Sequence, residues 1–282
     1  MKKSQNNKHK KTPVILQVLP SLKSGGVERG VIEVSKSIAE KGYTSLVASS
    51  GGPMEHQIRM SGGTHFTLPL ASKNPLTIYN NIKRLIKLIN KYDVDIIHAR
   101  SRAPAWSAYF AAKKTNKKFL TTFHGTYSLK GRFKKIYNSI MLKGDKVIAI
   151  SEFIKTHIIQ NYDVDKSKLE VIHRGVDLEQ FDIDDVSNHR IVQMAEKLNI
   201  EPDRPIILLP GRITGWKGHE FLLNALNLLN KDSFYCLFIG DDKGHSKYRN
   251  KLESLISQLQ LSDSVRIIHN VSDMPALYSL AD

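Results

Sequence analysis

Acidic residues are scarce in this chain. Its 282 residues include 27 Asp and Glu against 42 Lys and Arg, a net charge of +15 with histidine neutral. A surplus that large favours a polyanionic partner: nucleic acid, an acidic membrane surface or a phosphorylated ligand. Cysteine is nearly absent. The single Cys236 excludes an intramolecular disulfide and a cysteine-cluster zinc site, and its place in the apolar run Tyr235–Ile239 predicts a buried thiol rather than a nucleophile. No apolar run approaches the length of a membrane span. There is no G-x-x-x-x-G-K-[ST] loop, zinc-ligand spacing or G-x-S-x-G elbow. The basic start, MKKSQNNKHKK, leads only into the short run Val14–Leu19, with no signal-peptide apolar segment or cleavage site. Residues 1–12 therefore read as a disordered cationic tail of a cytoplasmic protein.

What the chain has is alternation. Strands are predicted at Val14–Leu19, Ser45–Ala48, Phe66–Leu68, Val94–His98, Phe119–Phe123, Lys146–Ile150 and Leu169–Ile172. Helices fall between them at Val27–Lys41, Leu76–Tyr92, Ala103–Lys113, Phe133–Leu142 and Phe153–Gln160. Asp182–Asn188 is polar and acidic and reads as a linker. A second series follows: strands at Ile206, Tyr235 and Val265, with helices at His219–Asn230, Lys247–Leu259 and Met274–Leu280. Regular βα alternation is the mark of parallel, doubly wound sheets. The expected organisation is thus α/β: a first Rossmann-like domain over 13–185 and a second, partial one over 190–282. A doubly wound sheet normally has five or six strands and the second series has three, so this region is expected to be incomplete and to open readily.

Ligands of such sheets bind at the carboxyl ends of the strands. In the second domain that position holds Pro210-Gly211-Arg212, Lys217 and Gly218 before a helix, where free amides, a helix dipole and fixed cations suit phosphate; a solvated loop is the plain alternative. Gly240-Asp241-Asp242 follows the next strand. In the first domain, Gly25 and Gly26 open a helix, as they would in any tight turn, and the spacing is not the dinucleotide fingerprint. Arg100, Ser101 and Arg102 follow the Val94 strand. His124-Gly125 follows the Phe119 strand, placed to stabilise charge or relay a proton, or to bond a neighbouring loop. Ser151 precedes a helix that it equally suits as a cap, and Arg174 follows Leu169–Ile172. Two D-x-D triplets, Asp93–Asp95 and Asp163–Asp165, lie at the amino ends of strands, so they read as solvated turns and no metal site is expected.

Six pieces occur in order: Gly25-Gly26-Val-Glu-Arg, His98-Ala-Arg100-Ser-Arg102, Phe-His124-Gly125, Val-Ile-Ala-Ile-Ser151-Glu, Val-Ile-His-Arg174-Gly-Val-Asp177, and Pro-Gly211-Arg212 with Trp-Lys217-Gly218. The set resembles retaining glycosyltransferases of family 4, with the GT-B fold of two Rossmann-like domains, and in its order the bacterial members that build lipopolysaccharide or capsular glycans. The resemblance implies a nucleotide-sugar donor and a lipid-linked or glycan acceptor, without metal or other cofactor. It implies that Gly25 and Gly26 let the first loop approach the donor phosphates, that His124 lies beside the transferring sugar, and that Arg212 and Lys217 hold the diphosphate. Arg100, Arg102, Ser151, Arg174 and Asp241 are the further cleft candidates. The family carries two glutamates seven residues apart after the next strand, and the sequence ends before them, so weak or absent transfer from this chain alone is expected. The basic tail and the two basic helices, Leu76–Tyr92 and Phe133–Leu142, imply peripheral attachment to the inner face of the cytoplasmic membrane. A nucleic-acid-binding protein is the competing reading of the charge, against which the cations are dispersed and no nucleic-acid module is recognisable; an inactive remnant of the enzyme is another.

Overall fold

The computed structural model describes residues 12–129, 131–200, 203–242, 244, 246–269 and 271–282. All of the expected cationic tail except Thr12 lies outside the described residues. The chain divides into two compact units, the first ending at Gly175 and the second beginning at Val176. Asp182–Asn188, the expected linker, falls inside the second unit, where Val186 packs into a core cluster with Met194 and Leu198.

The first unit is a seven-stranded parallel sheet. Its strands are β1 (Val14–Val18), β2 (Thr44–Ser49), β3 (Thr64–Thr67), β4 (Ile96–Ala99), β5 (Lys118–Phe123), β6 (Lys146–Ala149) and β7 (Leu169–Val171). They lie in the order β3-β2-β1-β4-β5-β6-β7. This is the doubly wound order, with the reversal at β1 and β4. The intervening helices are α1 (Gly26–Glu40), α2 (Glu55–Met60), α3 (Pro75–Tyr92), α4 (Arg102–Thr115), α5 (Arg132–Ser139) and α6 (Glu152–Asn161). Local chemistry sets their ends. Asn74 caps α3, its Oδ1 accepting from Leu76 N at 2.9 Å, Pro75 fills the first helical turn, and Asp93 closes the helix in the left-handed region at φ 48°. α4 is rich in alanine on its inner face, so it lies close on Leu16, Ile97 and Phe119 in the main core cluster. The aspartates of the first triplet do structural work: Asp93 bridges Lys117 at 2.9 Å, and the Asp95 carboxylate accepts from Val14 N at 2.9 Å.

The second unit contains α7 (Asn188–Leu198), β8 (Ile206–Pro210), α8 (His219–Leu226), β9 (Tyr235–Ile239), α9 (Ser246–Gln258), β10 (Val265–Ile268) and α10 (Met274–Ser279). Its three described strands are parallel in the order β10-β9-β8. The central β9 is buried along its whole length, and Cys236 within it is fully buried, its thiol pushed up to about 12 by burial. The sequence reading missed α2 and α7. No described helix is long and apolar enough to cross a membrane.

Candidate functional site

In the second unit, β8 delivers the chain into the glycine-containing turn. Gly211 N donates to Ile239 O at 2.8 Å and Ile213 N to Asp241 O at 3.2 Å, so the turn is pinned to the end of β9. Gly218 stands at φ 83°, in the left-handed region that a side chain would resist, and turns the chain into α8. Arg212 is exposed and Lys217 half-buried, its Nζ 4.5 Å from the centroid of the Trp216 ring. Neither cation has an ion-pair partner among the described residues. Two unneutralised cations at a helix N-terminus favour an anion there. His219, the first residue of α8, serves the core instead: it is fully buried with its ring edge-on to Phe238 at 4.9 Å. Asp241 supports the turn through its backbone carbonyl.

In the first unit, the carboxyl ends of β4, β5 and β7 carry Arg100, His124 and Arg174 to one face of the sheet, with α1 across it. They line one cavity of about 360 Å³ with His98, Thr122, Glu33 and Gly30. The same cavity has an apolar wall formed by Ile15, Ile96, Leu120 and Ile148. His98 is buried and shares a hydrogen bond with Thr122 Oγ1, Nε2 to oxygen 2.7 Å. Burial first, then Arg100 and His124, hold its ring neutral. Both ring nitrogens of His124 are buried without a hydrogen-bond partner among the described residues. Burial, followed by the Arg100 and Arg174 guanidiniums, lowers its pKa to about 3. His124 is therefore neutral through the physiological range, a hydrogen-bonding group rather than a cation.

The remaining candidates are placed as follows. Arg102 Nη1 donates to Asn138 Oδ1 at 2.7 Å, and its guanidinium lies 4.1 Å from the Tyr127 ring centroid. It clamps the loop after His124 to the end of α5. Ser151 caps α6, its hydroxyl accepting from Ile154 N at 3.2 Å. Gly25 opens α1 with no side-chain cap hydrogen bond. Gly26 seats Arg174: Arg174 Nη2 donates to Gly26 O, and a Cβ on Gly26 would stand 2.6 Å from Arg174 Nη1. Four residues of this site were not singled out from the sequence: Gly30, Glu33, Thr122 and, as a site residue, His98. For His98 and Thr122 the signal was the parity of strand positions, because 98 and 100, and 122 and 124, share one face only once the strand order and register are known; Gly30 and Glu33 lie on α1, whose placement over the sheet the sequence does not show.

Sequence comparison fits this architecture. The sequence model of Glycosyltransferase Family 4 matches residues 24–180. The chain belongs to that family. The model of Glycosyl transferases group 1 matches residues 192–282. Among solved structures, a glycosyltransferase from Rickettsia africae is 46% identical with a TM-score of 0.85, over 96% of this chain and 72% of that one. Anabaena HepE, solved in complex with UDP and glucose, is 19% identical with a TM-score of 0.81 over 95% and 72%. At that identity it shows the GT-B fold. An uncharacterised glycosyltransferase of Methanocaldococcus jannaschii is 27% identical over 74% of this chain. The chain spans 57% of the length of that relative.

Proposed function

We propose that this family-4 chain handles a nucleotide-sugar donor for a retaining glycosyltransferase of cell-envelope polysaccharide synthesis, lipopolysaccharide included, with a lipid-linked or glycan acceptor, at the inner face of the cytoplasmic membrane. The observation that carries the reading is the pair Arg212 and Lys217, unneutralised, on a glycine-shaped turn at the start of α8. Breaking the bond from sugar to diphosphate places growing negative charge on the leaving group. Fixed cations and a helix N-terminus therefore stabilise the transition state more than the ground state. The positive charge comes from these side chains, so the proposal includes no metal or other cofactor. The UDP and glucose bound by the Anabaena neighbour make a UDP-sugar the first donor to try.

His124 serves the transferring sugar. Its neutral ring can donate from one nitrogen and accept at the other, and neither is engaged among the described residues. Sugar transfer by the chain and by His124→Ala tests the assignment. Turnover is expected to fall about tenfold to a hundredfold, as for the loss of a hydrogen bond, while donor affinity changes little. Unchanged turnover, or a loss explained by a large drop in melting temperature, would instead make His124 a core residue.

A further inference from the structure

Arg100 stands out in the first unit's cavity. It is only 7% exposed, its Nε is buried without a hydrogen-bond partner, and it makes no ion pair among the described residues. Arg174 reaches the same place from the end of β7. A Cβ on Gly30 would lie 3.2 Å from Nη2 of Arg100 and 3.2 Å from Nη2 of Arg174, so the two guanidiniums meet over the bare face of α1 that Gly26 and Gly30 create. Among the described residues, Glu33 is the one carboxylate lining the cavity. The polar end thus holds two guanidiniums against a single acid, beside an imidazole with both nitrogens free. Arg100 is buried and Arg174 exposed, and holding a second positive charge against a buried one is unfavourable unless an anion joins them.

We propose that Arg100 and Arg174, seated on Gly26 and Gly30, bind a phosphate group carried by the acceptor. The inference rests on the transferase reading above, which assigns the donor diphosphate to Arg212 and Lys217 and leaves these two arginines without a task. Guanidinium forks match phosphate oxygens in pairs; the buried Arg100 offers an anion little competing water, and the exposed Arg174 leaves the site open to entry. The phosphate belongs either to a lipid, whose chain would follow the apolar wall of Ile15, Ile96, Leu120 and Ile148, or to a soluble sugar phosphate.

The test uses the full chain with histidine Cε1 labelled for NMR. Titration with inorganic phosphate is expected to shift the His124 and His98 signals. Arg100→Met and Arg174→Met should each weaken that response about tenfold or more, as expected for loss of a charged hydrogen bond. Gly30→Ala keeps both charges and favours the helix, yet should also weaken it by crowding the guanidiniums. Melting curves establish that each variant is folded. Phosphatidylcholine vesicles doped with phosphatidic acid, compared with soluble inositol phosphate, distinguish the sources: the one whose binding depends on both arginines is the acceptor class. Binding of UDP should survive all three substitutions and weaken about tenfold or more in Arg212→Ala. Phosphate that leaves His124 unshifted, or shifts it equally in all three variants, overturns the inference while UDP binding upholds the donor reading. Loss of UDP binding by the unaltered chain with the phosphate response intact would do the reverse.

Discussion

At the scale of single residues, the first unit concentrates its unusual chemistry in the buried His98, in His124, whose ring nitrogens are buried, and in two arginines. His124 has its pKa lowered from 6.5 to about 3, with burial the leading cause. An unfolded chain takes up a proton near 6.5 that the folded site refuses. Stability from this group is therefore intact above 6.5 and falls with pH below it, by about 1.4 kcal/mol per pH unit until the folded pKa is reached. His124→Gln stays neutral in both states. Its melting temperature should accordingly decline less steeply than that of the unaltered chain between pH 6.5 and pH 5. Equal slopes would mean that His124 is hydrated and titrates normally. His65, His98 and His219, also lowered with burial the leading cause, remain in both proteins and contribute to the residual slope. The sequence showed His124 at a strand end and Arg212 and Lys217 on their turn, because those positions follow from local pattern. It did not show that Gly26 and Gly30 seat arginines from residues 70 or more positions away, because that pairing exists only once the sheet has assembled.

At the scale of elements, α5 is fastened on one side and open on the other. Tyr137 stacks on Trp106 at 6.3 Å between ring centroids, and Asn138 is fully buried, its amide donating to Ser128 O at 3.1 Å. Phe133 is 90% exposed and Ile136 52% exposed, among Arg132, Lys134 and Lys135. An exposed aromatic in a ring of cations suits an anionic bilayer surface, where each cation adds about 1 kcal/mol until salt screens it. Flotation with phosphatidylglycerol vesicles should show binding that high salt releases. The double substitution Lys134→Glu with Lys135→Glu should cut it about tenfold or more. Equal binding to neutral vesicles, or no change in the double variant, would contradict electrostatic attachment. The elements themselves were largely legible. The two missed helices have physical reasons: α2 is six residues long with Ile58 alone buried, too short for a periodic signal. α7 does carry helical spacing at Ile191, Met194 and Leu198, but it begins directly after an acidic stretch that resembles a linker.

At the scale of the whole molecule, the βα alternation specified both parallel sheets, and the order β3-β2-β1-β4-β5-β6-β7 is the doubly wound arrangement that alternation implies. The division into units was less legible: contacts separate at Gly175 and Val176, and the acidic segment taken for a boundary contributes Val186 to the second core. The account of function turns on the second unit's turn holding a diphosphate. Calorimetry with UDP- and GDP-sugars on the full chain, on Arg212→Ala and on Lys217→Ala tests that most directly. The chain should bind at least one of these donors, and each substitution should weaken binding by about 1.5–3 kcal/mol with the melting temperature unchanged. Donor affinity that is the same in all three proteins would contradict the account.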